Sequence, residues 1–283
     1  MPRYILSRYI LTLVVLTLSI TQLANASELY SLDSAITSNS SIYRLNQTTG
    51  AEALVGPVGP AFAFPGDLTS DTHLGTFRIW SPDITNNNLI KIDPTTGAGS
   101  VVGPFSTPGG AVKMVSLAFD PVTSTMYGNT ALSFNGSPDR LFRIDPSTGA
   151  SVPIGDIGFN DVFALGFSQA GKLYGVSNAA HQLLLIDTTL GSGGAIGPVT
   201  PQSVFDLATR PEDGAAFIVD SGTTGVGTNS LYRLDLNTGG TGLIGPHTAT
   251  HNMVGLAFGP VPEPATFTLF AFAATLLTLR RKR

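Results

Sequence analysis

The sequence predicts an all-β, five-bladed propeller in which the last strand completes the first blade. Three observations point there. One unit recurs five times with identical glycine spacing, a second half-unit recurs with it, and the two ends of the repeated region are offset in a way that closes a ring.

The first unit is an apolar strand, then Asp or Asn, three residues, Gly, five residues, Gly. It occurs as Ile42-Tyr43-Arg44-Leu45-Asn46 with Gly50 and Gly56, and as Leu89-Ile90-Lys91-Ile92-Asp93 with Gly97 and Gly103. It recurs as Leu141-Phe142-Arg143-Ile144-Asp145 with Gly149 and Gly155, as Leu183-Leu184-Leu185-Ile186-Asp187 with Gly191 and Gly197, and as Leu231-Tyr232-Arg233-Leu234-Asp235 with Gly239 and Gly245. The strand alternates in the β period. The Asp or Asn accepts hydrogen bonds from a turning backbone, and the first Gly supplies the positive φ of a hairpin. A short apolar strand follows, such as Leu54-Val55 or Val101-Val102. It ends at the second Gly, and in four copies at Gly-Pro, the stop of an outer edge strand.

The second half-unit lies upstream. It runs Met114 to Phe119 with Met126-Tyr127-Gly128, Val162 to Phe167 with Leu173-Tyr174-Gly175, and Val204 to Ala208 with Ala216-Phe217. A degenerate version, Gly66-Asp67-Leu68-Thr69 with Thr76-Phe77, serves blade two. Aligned on Leu68, Leu117, Leu165, Leu207 and Leu256, the steps are 49, 48, 42 and 49 residues. Four strands in that length make a propeller blade. The first copy begins at its second strand, Glu28-Leu29-Tyr30-Ser31, and its missing first strand reappears as Met253 to Phe258. That offset seals the ring. In style the pattern is similar to WD-like and NHL-like propeller repeats.

Before the aligned leucine stand Asp67, Ser116, Ala164, Asp206 and Gly255. Small residues suit a crowded axis; two carboxylates do not. They are read either as acceptors of backbone hydrogen bonds in the channel wall, or as a channel-mouth site for a polar ligand or for Ca²⁺. No other cofactor is expected. The turn residues Asp93, Asp145, Asp187 and Asp235 are read as turn chemistry on separate blades. His247 and His251 have the spacing of a helical ligand pair, but Gly-Pro-His-Thr-Ala-Thr-His-Asn reads as a polar loop; His73 and His181 complete the histidines. Trp80, the only tryptophan, is placed just after blade two's second strand. With Phe134 it is a candidate for stacking on a sugar ring from the variable loops between second and third strands. No nucleophile elbow or phosphate loop is present, and no catalytic residue is nominated.

The absence of cysteine excludes disulfides, thiolate metal sites and a Cys nucleophile. Between residues 27 and 260 nine basic residues face 18 acidic ones, a net charge near −9. Such a body does not bind nucleic acid by neutralising phosphates.

The two ends read as addresses. Arg3 and Arg8 precede an apolar run, Ile10 to Ile20, and Ala24-Asn25-Ala26 offers a signal-peptidase site, so residues 1–26 are expected to be a signal peptide cleaved after Ala26. At the other end Ala265 to Leu279 is apolar. Its fifteen residues would span about 22 Å as a helix, a short transmembrane segment with its basic end in the cytoplasm. Pro262-Glu263-Pro264, that helix and the terminal Arg280-Arg281-Lys282-Arg283 resemble the PEP-CTERM sorting signal of Gram-negative bacteria. The resemblance covers residues 261–283. It implies removal of the tail by an exosortase, a membrane cysteine transpeptidase, and an association with exopolysaccharide and biofilm.

The chain is thus expected to comprise a signal peptide (1–26), a propeller (27–260) and a sorting tail (261–283). The expected role is non-catalytic: a cell-surface or matrix component that binds exopolysaccharide or another matrix protein. The alternative is a secreted polysaccharide hydrolase or lyase using Asp67 and Asp206 at the axis, with Asp71 and Arg210.

Overall fold

The computed structural model describes residues 27–33, 40–60, 62, 64–71, 76–221, 229–247 and 252–260. The expectations for residues 1–26 and 261–283 therefore lie outside the described residues, as do His73 and His251. Among the described residues no helix is long and apolar enough to cross a membrane.

The strands in chain order are β1 (Glu28–Asp33), β2 (Ser41–Leu45), β3 (Glu52–Pro57), β4 (Thr69–Asp71), β5 (Arg78–Asp83), β6 (Asn88–Ile92), β7 (Gly99–Pro104), β8 (Ser106–Thr107) and β9 (Gly110–Ala111). They continue with β10 (Ser116–Phe119), β11 (Met126–Asn129), the short helix α1 (Leu132–Asn135), β12 (Arg140–Ile144), β13 (Ser151–Asp156), β14 (Val162–Phe167), β15 (Leu173–Ser177), β16 (Gln182–Ile186) and β17 (Gly193–Pro198). The last are β18 (Val204–Thr209), β19 (Ala216–Asp220), β20 (Ser230–Leu234), β21 (Thr241–Pro246) and β22 (Met253–Gly259).

Five four-stranded antiparallel sheets result, ordered β22-β1-β2-β3, β4-β5-β6-β7, β10-β11-β12-β13, β14-β15-β16-β17 and β18-β19-β20-β21. Their innermost strands touch in a closed cycle, β4 to β10, β14, β18, β22 and back to β4. This is a five-bladed propeller. The expected closure is present: β1 pairs with β22 in the register Leu29↔Phe258, Tyr30↔Ala257, Ser31↔Leu256. Chain-terminal pairing of this kind leaves no open inner edge.

The core lies between blades. One buried apolar cluster forms at each of the five interfaces. Leu32, Ile42, Leu68, Ile79 and Ile90 join blades one and two; Leu89, Met114, Leu117 and Phe142 join two and three. Leu141, Leu165, Phe167 and Leu184 join three and four; Val176, Leu183, Leu207 and Ile218 join four and five. Leu29, Phe217, Val219, Leu231 and Leu256 join five to one. At roughly 1.5–3 kcal/mol per buried aliphatic or aromatic side chain, every interface contributes to holding the ring, the closing one included.

The repeat chemistry behaves locally as expected. Asp93 Oδ1 accepts the backbone N–H of Thr95 (2.7 Å) and of Thr96 (3.1 Å), and Asn46, Asp145, Asp187 and Asp235 likewise accept the amide two residues on in their turns. Gly50, Gly97, Gly149, Gly191 and Gly239 have φ between 74° and 83°.

The outer strands end at Gly-Pro in four blades, as expected, β3 at Pro57, β7 at Pro104, β17 at Pro198 and β21 at Pro246. The second glycine also lies where neighbouring blades touch. A Cβ on Gly56 would sit 2.1 Å from Thr96 O, one on Gly103 2.1 Å from Thr148 O, on Gly155 2.0 Å from Leu190 O, on Gly197 2.1 Å from Thr238 O, and on Gly245 2.1 Å from Thr49 O. Each outer strand thus presses its bare glycine backbone against the next blade's hairpin, in a cycle of five. The second strand of blade two is Arg78–Asp83, not Thr76-Phe77, because Pro82 does not break it: Pro82 pairs with Leu89, and its carbonyl accepts Gly66 N–H. Trp80 therefore lies inside that strand. The loop that follows it begins at Ile84.

Candidate functional site

The five inner strands carry Asp67 or its equivalents one residue before the aligned leucine. The positions fold inward together, and the structure brings Asp67 and Asp206 to one place. Both are fully buried. Asp67 Oδ1 accepts Leu68 N–H at 2.8 Å; Asp67 Oδ2 accepts Leu117 N–H at 2.5 Å and the Ser116 hydroxyl at 2.6 Å. Asp206 Oδ1 accepts Leu207 N–H at 2.5 Å; its Oδ2 accepts Leu68 N–H at 3.1 Å and Leu256 N–H. Asp67 Oδ1 and Asp206 Oδ2 are thus held against the same Leu68 N–H, which brings the two acids together. Inner strands have no sheet partner on their axial side, so some of their amides must be satisfied across the axis; these carboxyls do that for blades one, two, three and five.

Burial raises the pKa of both carboxyls above the usual carboxylate range, and the neighbouring carboxyl raises that of Asp67 further.

Toward the face carrying the first-to-second-strand turns, the axis opens into a funnel of about 420 Å³. Leu68, Leu165, Leu207 and Leu256 line it, with Thr69, Ser70, Asp71 and Thr209 among its polar residues. The carboxyl pair is not in its wall. The expectation of a channel-mouth position for Asp67 and Asp206 is corrected accordingly: their oxygens are turned to the backbone amides of the aligned leucines. The funnel's hydroxyls are engaged between blades, Ser70 Oγ donating to Phe258 O (2.6 Å), Thr209 Oγ1 to Phe167 O (2.5 Å), and Thr69 Oγ1 accepting from Phe119 N–H (3.0 Å).

The other nominated residues do not join the pair. Asp71 Oδ2 accepts the indole N–H of Trp80 at 2.9 Å, and its Oδ1 lies 3.4 Å from the Arg78 guanidinium. Arg210 is bound to Asp213 and to Gln47. Trp80 is 6% exposed and packs with Leu89, Met114 and Leu117; it is a core residue and presents no face to a sugar. Phe134, in α1, is 37% exposed and meets Phe163 edge-on at 5.8 Å. Among the described residues no group of three or more His, Asp and Glu side chains could hold a metal ion.

Sequence reasoning missed His247. It is buried, not part of an open loop. It occupies the place held in the other blades by Val58, Phe105, Ile157 and Val199, all buried after the second-glycine motif. Its N–H donates to Asn229 O as theirs do to Ser40, Asn87, Asp139 and His181. Nδ1 lies 3.2 Å from Gly50 O across the closing seam, and Nε2 is buried without a partner. The signal was present in the repeat alignment, in the residue two places after Gly245.

No protein-family model matches the chain, and no curated protein matches it. Solved structures do. A protein provisionally assigned as a gluconolactonase superposes with a TM-score of 0.53 at 12% identity, covering 83% of each chain. A chain of a nidogen–laminin complex superposes with a TM-score of 0.51 at 13% identity, covering 84% of this chain and 100% of that one. At such identities the likeness is one of fold, and it agrees with the propeller.

Proposed function

We propose that the chain is an exported, non-catalytic propeller, sorted by an exosortase-type system, that serves as a ligand- or protein-binding component of the cell surface or extracellular matrix. The observation that carries the non-catalytic reading is the state of Asp67 and Asp206. General acid–base work requires a carboxyl within reach of a substrate; both of these are enclosed by leucines and committed to inner-strand amides. The neighbour from the nidogen–laminin complex is a chain of a protein–protein assembly, which favours binding as the role of the disc.

The export reading rests on the termini. The strand ring begins at Glu28, two residues after Ala26, and ends at Gly259, three before Pro262. Cleavage by signal peptidase after Ala26 and by an exosortase at Pro262-Glu263-Pro264 would leave every strand in place. On this reading Ala265 to Leu279 holds the chain in the inner membrane, with Arg280, Arg281, Lys282 and Arg283 in the cytoplasm, until processing sends it to the surface or to an exopolysaccharide-rich matrix.

Mass spectrometry of the mature termini in the native host tests the handling, with ends at Ser27 and near Pro262-Glu263-Pro264 expected. An intact tail on the surface-localised protein would overturn it. A glycan array and a matrix-protein binding assay test the role. Turnover of a polysaccharide that Asp206→Asn abolishes without loss of the fold would establish the hydrolase or lyase alternative instead.

A further inference from the structure

We propose that Asp67 and Asp206 form a buried proton-binding site, in which a single proton shared by the two carboxyls clamps four of the five blades at the axis. Each carboxyl accepts three donors, but those of Asp206 are all fixed amides, Leu68, Leu207 and Leu256, whereas one of those of Asp67 is the Ser116 hydroxyl, which can turn; Asp206 is thus arranged as the ionised partner. Asp67 Oδ1 and Asp206 Oδ2 are held against the same Leu68 N–H, and two carboxylates that close in a dry interior are not both charged. Asp67 therefore carries the proton and donates it to Asp206, while its own oxygens take Leu68 N–H, Leu117 N–H and the Ser116 hydroxyl. The clamp thus joins blade two to three through Asp67, and blade five to one and to two through Asp206.

No cation competes for this role. At the same level the other inner strands present Ser116, Ala164 and Gly255. The ionisable groups next along those chains, Asp71, Asp120 and Arg210, stand four residues further on, beyond the leucines, and are engaged with Trp80 and Arg78, with the Thr123 hydroxyl, and with Asp213; β14 and β22 carry none. Losing the proton would place two like charges in contact. The folded chain binds this proton more tightly than the unfolded chain does, so stability is full below the ordinary carboxylate pKa and declines as pH rises toward the raised folded value.

Two readouts on the full chain test this. Infrared difference spectra at neutral pH should show the C=O stretch of a protonated carboxylic acid, absent in Asp67→Asn. The melting temperature of the unmodified chain should fall between pH 5 and 9 by about 5 °C or more beyond any fall seen in Asp67→Asn, a comparison in which every other carboxylate is common to both chains. Asp67→Asn keeps a donor toward Asp206 and should flatten that dependence. A flat melting profile in the unmodified chain, or no protonated-acid band, would overturn the proposal whether or not the variant folds.

Discussion

The backbone N–H of Leu68 points at two carboxyls at once, that of Asp67 at 2.8 Å and that of Asp206 at 3.1 Å. The second of these bonds links residues 138 positions apart and crosses the axis from blade five to blade two. Each acid faces three donors, but not on equal terms: Leu68 N–H keeps Asp206 as its acceptor if Asp67 turns a donor toward it, whereas the N–H groups of Leu207 and Leu256 both rely on Asp206.

Asymmetry of this kind separates two variants of similar size. In Asp206→Asn an amide group would face three backbone donors with a single acceptor oxygen, leaving buried N–H groups unsatisfied. A loss of about 3 kcal/mol or more is expected by urea denaturation, against a much smaller change for Asp67→Asn. Equal losses in both would show that the acids are interchangeable. Added Ca²⁺ should leave the melting temperature of the unmodified chain unchanged, since the oxygens that would bind it are taken by amides.

The outer belt offers a second contrast. Gly245→Ala would place a methyl 2.1 Å from Thr49 O at the seam between the fifth and first blades, whereas Gly242, three residues earlier in the same strand, has nothing within 4 Å of its Cβ position. The first substitution should cost about 2–3 kcal/mol. The second should be neutral or mildly stabilising, by less than about 1 kcal/mol. Chemical denaturation of the pair checks this directly, and comparable stability in the two would show that the seam yields.

What could be read from the sequence was the local chemistry. Asn46 and its counterparts cap their own turns, and Gly50 and its counterparts bend them, so a fixed spacing revealed five hairpins and hence the blades. Contacts between blades were not readable in this way. Gly56 reads only as part of a strand end, because the Thr96 carbonyl that excludes a side chain there belongs to another repeat. Asp67 and Asp206 stood out as acids on a crowded strand, yet nothing local showed that they meet. Trp80 was displaced by a proline whose side of the strand only the fold decides. His247 was hidden by the polar residues after it, although its alignment with Val58, Phe105, Ile157 and Val199 marked it as buried.

Trp80 makes blade two its own reporter. As the only tryptophan, 6% exposed and hydrogen-bonded to buried Asp71, it should emit at short wavelength in the native state and shift red in one step on unfolding. Saturating concentrations of a bound glycan should leave that emission unchanged. Quenching by a glycan would return Trp80 to the surface and contradict its packing in the core.

His247 predicts the acid limb of stability. Burial lowers its pKa below the ordinary 6.5, outweighing the Gly50 carbonyl and the charge of Glu52, both of which favour the protonated ring. The unfolded chain then binds this proton more readily than the folded one. Its contribution is therefore complete above about pH 6.5 and is lost as pH falls toward the lowered folded value. His247→Val restores the residue type that blades one and four use at this place. It should change stability at pH 8 by no more than about 1 kcal/mol, exchanging one hydrogen bond for the removal of an unpartnered ring nitrogen. Between pH 6.5 and 5 the variant should lose less stability than the parent. Denaturant titrations at pH 8, 6.5 and 5 measure both quantities; parallel curves for parent and variant would mean that the closing seam does not sense this histidine's charge.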